Sequence, residues 1–112
     1  MSRLITDEML EAALDYLATA SEHIAAARAT RLRAEFKRER VKAKLMLQSN
    51  QSSAPMKKAW AEAHEVYFEA CEEEVKAVQA DEKAREERNK ANTIIEAWRT
   101  ENANRRAGDQ FR

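Results

Sequence analysis

Apolar residues recur every three or four positions from the start of the chain, a pattern that describes long helices rather than strands. Leu10, Leu14, Leu17, Ser21, Ala25, Ala29, Leu32, Phe36, Arg40, Ala43 and Leu47 form one stripe. Its mean spacing of about 3.7 residues is close to that of a straight helix. A second stripe, Ile5, Met9, Ala12, Tyr16, Ala20, His23 and Ala27, exists only in the first half. A helix that is apolar on two faces needs two neighbours. The start of this helix is marked by Thr6 as cap, Asp7 and Glu8 in the first turn, and Ile5 with Leu10 at the staple positions.

Gln48 to Ser53 is polar and aperiodic, and Ser52-Ser53-Ala54-Pro55 reads as a helix start, where proline loses no hydrogen bond. The second helix then runs through Met56, Trp60, Ala63, Tyr67, Cys71 (or Ala70), Val75 (or Glu74) and Val78, and after a polar interval through Ala91, Ile94, Ile95 and Trp98. Gly108, the only glycine, stands where a C-cap belongs, after Arg105 and Arg106. The pattern thus predicts an all-α chain, a single domain over residues 1–112. It comprises a helix over 6–47, a turn over 48–54, a helix over 55–107 and a short tail over 108–112, folded as a long antiparallel, coiled-coil-like hairpin.

Folding back about residue 51 or 52 sets Leu47 against Met56, Ala43 against Trp60, Phe36 against Tyr67, Leu32 against Cys71 and Ala25 against Val78. Leu14 and Leu17 then face the charged run from Arg85 to Lys90. Either the second helix bends near 89–93, or the N-terminal helix packs on a second copy. Two helices burying one stripe each gain about 1.5 to 3 kcal/mol per large side chain, against about 1 to 2 kcal/mol of entropy for each ordered residue. That balance favours a homodimer or larger assembly, a four-helix bundle with Met9, Ala12 and Tyr16 at the interface.

Charge sharpens the hairpin. Arg28 to Lys44 holds eight basic and two acidic residues, whereas Ala59 to Val75 holds six glutamates and no Lys or Arg. Laid side by side, the two segments neutralise each other, and exposed pairs worth about 0 to 1 kcal/mol each still help fix register. The chain as a whole carries 20 Lys and Arg against 20 Asp and Glu, so net charge points to no polyanion. No apolar run approaches the roughly 20 residues needed to cross a bilayer, and no signal-peptide core opens the chain. The expected location is cytoplasmic, the host cytoplasm if the protein is phage-encoded, with no membrane partner.

Chemistry is scarce. Cys71 is the single cysteine, spaced as a core residue, and His23 and His64 read as helix-face residues. No zinc site, cofactor loop, nucleophile elbow or catalytic triad can be assembled from these residues, so neither an enzyme nor a cofactor is expected. Two stretches could bind. The basic run, with Arg31, Arg38 and Lys42, could contact phosphates. The C-terminal stretch places Trp98 beside Arg99, Arg105 and Arg106, ahead of Phe111 and Arg112, and could anchor a protein or stack on a base. The acidic half could instead imitate DNA toward a host nuclease or defence protein.

The stretch Ile95-Glu-Ala-Trp-Arg-Thr-Glu-Asn-Ala-Asn-Arg-Arg-Ala107, with Val41-Lys-Ala-Lys-Leu-Met46 and the serine-rich turn between, resembles small helical proteins of tailed bacteriophages and prophages. Genes for such proteins sit among early recombination genes. The resemblance implies an accessory role in phage DNA recombination or replication, with a phage or host protein of DNA metabolism as partner. It brings no catalytic residues. Direct nucleic-acid binding through 28–44 and the arginine-rich end, and inhibition of a host protein, are the alternatives.

Overall fold

The computed structural model describes residues 4–110, so Phe111 and Arg112 lie outside the described residues. It is all-helical, with three helices in the order α1 (Asp7–Gln48), α2 (Ala54–Glu62) and α3 (Glu65–Gln110). α1 starts as its sequence dictates: the Thr6 hydroxyl accepts from the Met9 amide at 3.1 Å, and Ile5 beside it is buried. α2 starts at Ser53, which has extended backbone (φ −115°, ψ 154°) and accepts from the Met56 amide, with Pro55 in the first turn.

The expected second helix is two helices. α2 ends at Ala63, whose N–H returns to the Ala59 carbonyl, and His64 caps α3 by accepting the Val66 amide on Nδ1 at 3.1 Å. An imidazole two residues upstream of an amide offers the chain an alternative to the helical ladder, as Asn or Ser side chains do. The Trp60 ring lies against the His64 ring, centroids 5.4 Å apart. Beyond this break α3 is continuous through 89–93 and through Gly108, which has no positive φ. The expected C-cap at Gly108 and tail from 108 are therefore replaced by helix as far as Gln110.

The buried seam differs from the stripe of large side chains. In α1 the buried and half-buried positions include Leu10, Ala13, Leu17, Ala20, Ile24, Ala27, Arg31, Ala34, Arg38, Val41 and Leu45. In α3 they include Tyr67, Ala70, Glu74, Ala77, Asp81, Ala84, Ala91, Ile95, Trp98 and Asn102, with exposed Arg88 completing the series. Spacings of three and four alternate without error, the seven-residue repeat that keeps one line of side chains facing a partner helix. Alanine fills every second position over 13–34 and again over 70–91. Small side chains let helix axes approach closely. A leucine or phenylalanine at those positions would hold the helices apart, and several large residues of the expected stripe lie outside the seam. Leu14 is 51% exposed, Phe36 68% and Leu47 86%.

Two compact units divide the chain: one takes the segment up to Ile24 and the segment from Lys83, the other takes Ala25–Glu82. In the first, α1 and α3 run antiparallel. Glu101 accepts from the Leu4 and Ile5 amides at 3.0 and 3.4 Å, and the Tyr16 hydroxyl donates to the Ala84 carbonyl at 2.8 Å. In the second, α1 folds back through α2 into α3, and the opposed charges meet. Among the described residues no helix is long and apolar enough to cross a membrane.

Candidate binding surfaces

Seven residues separate Arg31 from Arg38 in the seam of α1, and seven separate Glu74 from Asp81 in that of α3. Their pairing organises the unit Ala25–Glu82. The Arg31 guanidinium donates to Asp81 Oδ2 at 3.1 Å, with the Asp81 side chain fully buried and that of Arg31 40% exposed. Arg38 pairs with Glu74 and Glu39 and also hydrogen-bonds Tyr67. The Glu74 bond, then the Tyr67 bond, raise the guanidinium's proton affinity above the usual arginine range, with partial desolvation opposing them. Because the shift is upward, whatever it contributes to stability is in full effect below the ordinary arginine pKa, and so throughout the neutral range. Lys37 reaches Glu73 at 2.7 Å and Lys42 reaches Glu62 at 3.1 Å.

These contacts correct the expected register. Phe36 does not seat on Tyr67; Arg38 does, and Phe36 points outward. Arg31, Lys37 and Arg38 meet carboxylates roughly two helical turns farther along α3 than a simple fold-back places them, whereas Lys42 meets Glu62 of α2 close to the expected register. The break at Ala63–His64 accounts for the shift, because α2 and the break use up residues before α3 begins. The three basic residues singled out for docking in this unit, Arg31, Arg38 and Lys42, are all committed to carboxylates of their own chain. Arg28, Arg33, Arg40 and Lys44 form no ion pair among the described residues.

Two grooves flank this seam. One, of about 460 Å³, is lined by Thr30, Arg33 and Lys37 with Glu73, Lys76 and Ala80. The other, of about 420 Å³, is lined by Arg38 and Glu74 with Cys71, Val75, Val78 and Gln79. Cys71 is thus a half-buried groove residue and not part of the seam.

In the other unit, Met9, Ala12 and Tyr16 line a groove of about 290 Å³ with Glu87, Lys90 and Ile94. Tyr16 is occupied within its own chain: beyond its bond to Ala84, its ring stacks on His23 with centroids 6.2 Å apart. Trp98 sits half-buried in the seam, and its indole N–H is buried with no acceptor. Arg99 pairs with Glu96 at 3.0 Å and Arg105 donates to Asn102 at 2.6 Å, both along their own helix, while Arg106 is exposed. Trp98 and the three arginines therefore share the end of α3 without forming one cluster.

Among the described residues no group of three or more His, Cys, Asp and Glu is gathered to hold a metal ion. Compared with protein-family models, with curated proteins and with solved structures, the chain matches none of them.

Proposed function

We propose that this protein works by binding and not by catalysis, as a homo-oligomeric helical accessory protein. Its sequence resemblance to small phage proteins suggests phage DNA recombination or replication as the setting. One observation carries the reading: the fully buried apolar positions are mostly alanines, while many large apolar side chains stand exposed. Among the described residues, the buried hydrophobic ones are seven alanines with Ile5 and Leu45, while ten large ones, among them Phe36, Phe68, Leu32 and Val75, stand exposed. A buried methyl contributes about 0.8 kcal/mol where a buried leucine or phenylalanine contributes about 1.5 to 3. A helical chain with that distribution gains most of its available apolar burial only by meeting another surface.

The reading is tested by sedimentation of the purified protein together with affinity capture from infected cells. Self-association and a reproducible partner of DNA metabolism are expected, and a monomer without partners refutes it. Direct nucleic-acid binding is the second reading, supported by Arg28, Arg33, Arg40 and Lys44, which are free of ion pairs. Gel shifts across a salt series decide it: phosphate contacts give affinity that falls steeply with salt, and no shift at low salt removes it.

A further inference from the structure

The groove residues of the Ala25–Glu82 unit obey a rule. Thr30, Arg33, Lys37, Glu73, Lys76 and Ala80 each precede a seam position, whereas Cys71, Val75 and Val78 each follow one. In an antiparallel pair, residues following the seam on both helices lie on the same side. That side of α3 also holds Phe68, which follows Tyr67, and that side of α1 holds Leu32, which follows Arg31. The preceding side carries Arg33, Lys37, Glu73 and Lys76 and is polar. The following side carries an apolar strip on α3, Phe68, Cys71, Val75 and Val78, with Leu32 on the facing helix among the charged Arg28, Glu35, Glu39 and Lys42. Phe68 is 56% exposed, Val75 48% and Leu32 42%.

From this we infer that the strip Phe68–Cys71–Val75–Val78 is a self-association surface, occupied by the same strip of a second copy of this chain. The inference rests on the oligomeric reading above and assigns it a face. Three features favour a second copy over an unrelated partner. The strip's spacings, three, four, three, read the same in both directions, so one helix can lie antiparallel on its own copy and match apolar positions to apolar positions, as a two-fold interface requires. Apolar surface is available in this unit, where Leu32, Phe36, Phe68 and Val75 are 42%, 68%, 56% and 48% exposed, toward the roughly 800 Å² that a stable dimer takes from each partner. The formal net charge is zero, so copies of the chain have little mutual repulsion to overcome.

The unit that presents the strip is also the one with the greater need of it. Seven of the ten exposed large apolar residues belong to Ala25–Glu82, whose seam is interrupted by Arg31, Arg38, Glu74 and Asp81.

Sedimentation velocity across a concentration series, on the wild type and on Val75→Glu, Phe68→Glu and Met9→Glu, tests the assignment. The wild type should dimerise. Val75→Glu and Phe68→Glu should each weaken the dimer at least tenfold with helicity unchanged by circular dichroism, and Met9→Glu, on the other unit, should leave it intact. Cys71 supplies a readout that needs no substitution: labelled with pyrene maleimide, the wild type should show excimer emission that disappears on dilution. A wild-type monomer at every concentration overturns both the oligomeric reading and this face. A dimer that survives Val75→Glu and Phe68→Glu, or shows no excimer, overturns the face alone and leaves the oligomer standing.

Discussion

In the unit that joins the N-terminal part of α1 to the C-terminal part of α3, the large seam residues are Leu10, Leu17 and Ile24, with Ile95 and Trp98 on the opposing helix and exposed Arg88 and buried Asn102 as the polar exceptions. In the Ala25–Glu82 unit the same positions are Arg31 and Arg38, with Glu74 and Asp81 opposite. Both units use alanine to bring two helices together, and they differ in what fills the space between. Apolar filling gives non-directional strength. Charged filling gives direction: a half-buried pair returns little net stability, because desolvation offsets most of the attraction, but it penalises every arrangement in which the charges miss each other. Strength and specificity are thus placed in different parts of one chain.

Substitutions test the comparison. Enlarging a seam alanine attacks what the two units share, so Ala77→Leu and Ala91→Leu should each destabilise by about 3 kcal/mol in urea denaturation at fixed protein concentration. A much smaller loss at Ala77 would mean that the charged seam tolerates wider helix spacing. Removing a charge separates the units. Arg31→Ala, which takes a donor from fully buried Asp81, should cost about 2 kcal/mol. The double change Arg31→Met with Asp81→Leu should be neutral or stabilising, by up to roughly 4 kcal/mol. If the double variant is instead strongly destabilised, the pair is a source of strength and the contrast fails.

Smaller effects come from the helix ends and the surface. Thr6→Ala in one unit and Ser53→Ala in the other each remove one capping acceptor and should cost about 1 kcal/mol, seen as a lower midpoint of thermal unfolding. Lys37→Ala should change stability by less than about 0.5 kcal/mol, because Lys37 and Glu73 are both more than half exposed and screened by water. A double-mutant cycle across that pair gives its coupling directly, and a value near that of Arg31 with Asp81 would contradict the distinction between exposed and buried pairs.

The starts of α1 and α2 were the most legible part of the sequence, since Thr6, Ser53 and Pro55 act through neighbours a few residues away. The charge complementarity of Arg28–Lys44 with the glutamate-rich segment was legible too, and three ion pairs realise it, while Arg31 finds its carboxylate beyond that segment, on Asp81. The seam was not, because a search for apolar stripes favours large side chains: Leu14, Leu32, Phe36 and Leu47 attract attention, and alanine does not. The usable signal was the alanine repeat at 13, 20, 27 and 34 and again at 70, 77, 84 and 91. The break at His64 was hidden for another reason. Histidine is an infrequent cap, and Trp60, Ala63 and Tyr67 keep helical spacing across the interruption. At the C-terminus, Gly108 promised a stop that the surrounding helix formers did not need.

The alanine ladder by itself cannot tell one alignment from the next, since a slip of seven residues sets alanine on alanine again. The arginines break that degeneracy. One heptad in one direction would bring Arg31 against Arg88 and Leu45 against Glu74, and one heptad in the other would set Asp81 against Ile24, so each misalignment keeps one ion pair and creates at least one fault. Two cations and two anions on a seven-residue pitch therefore act as a vernier scale: they make correct zipping of otherwise interchangeable turns a matter of electrostatic proofreading.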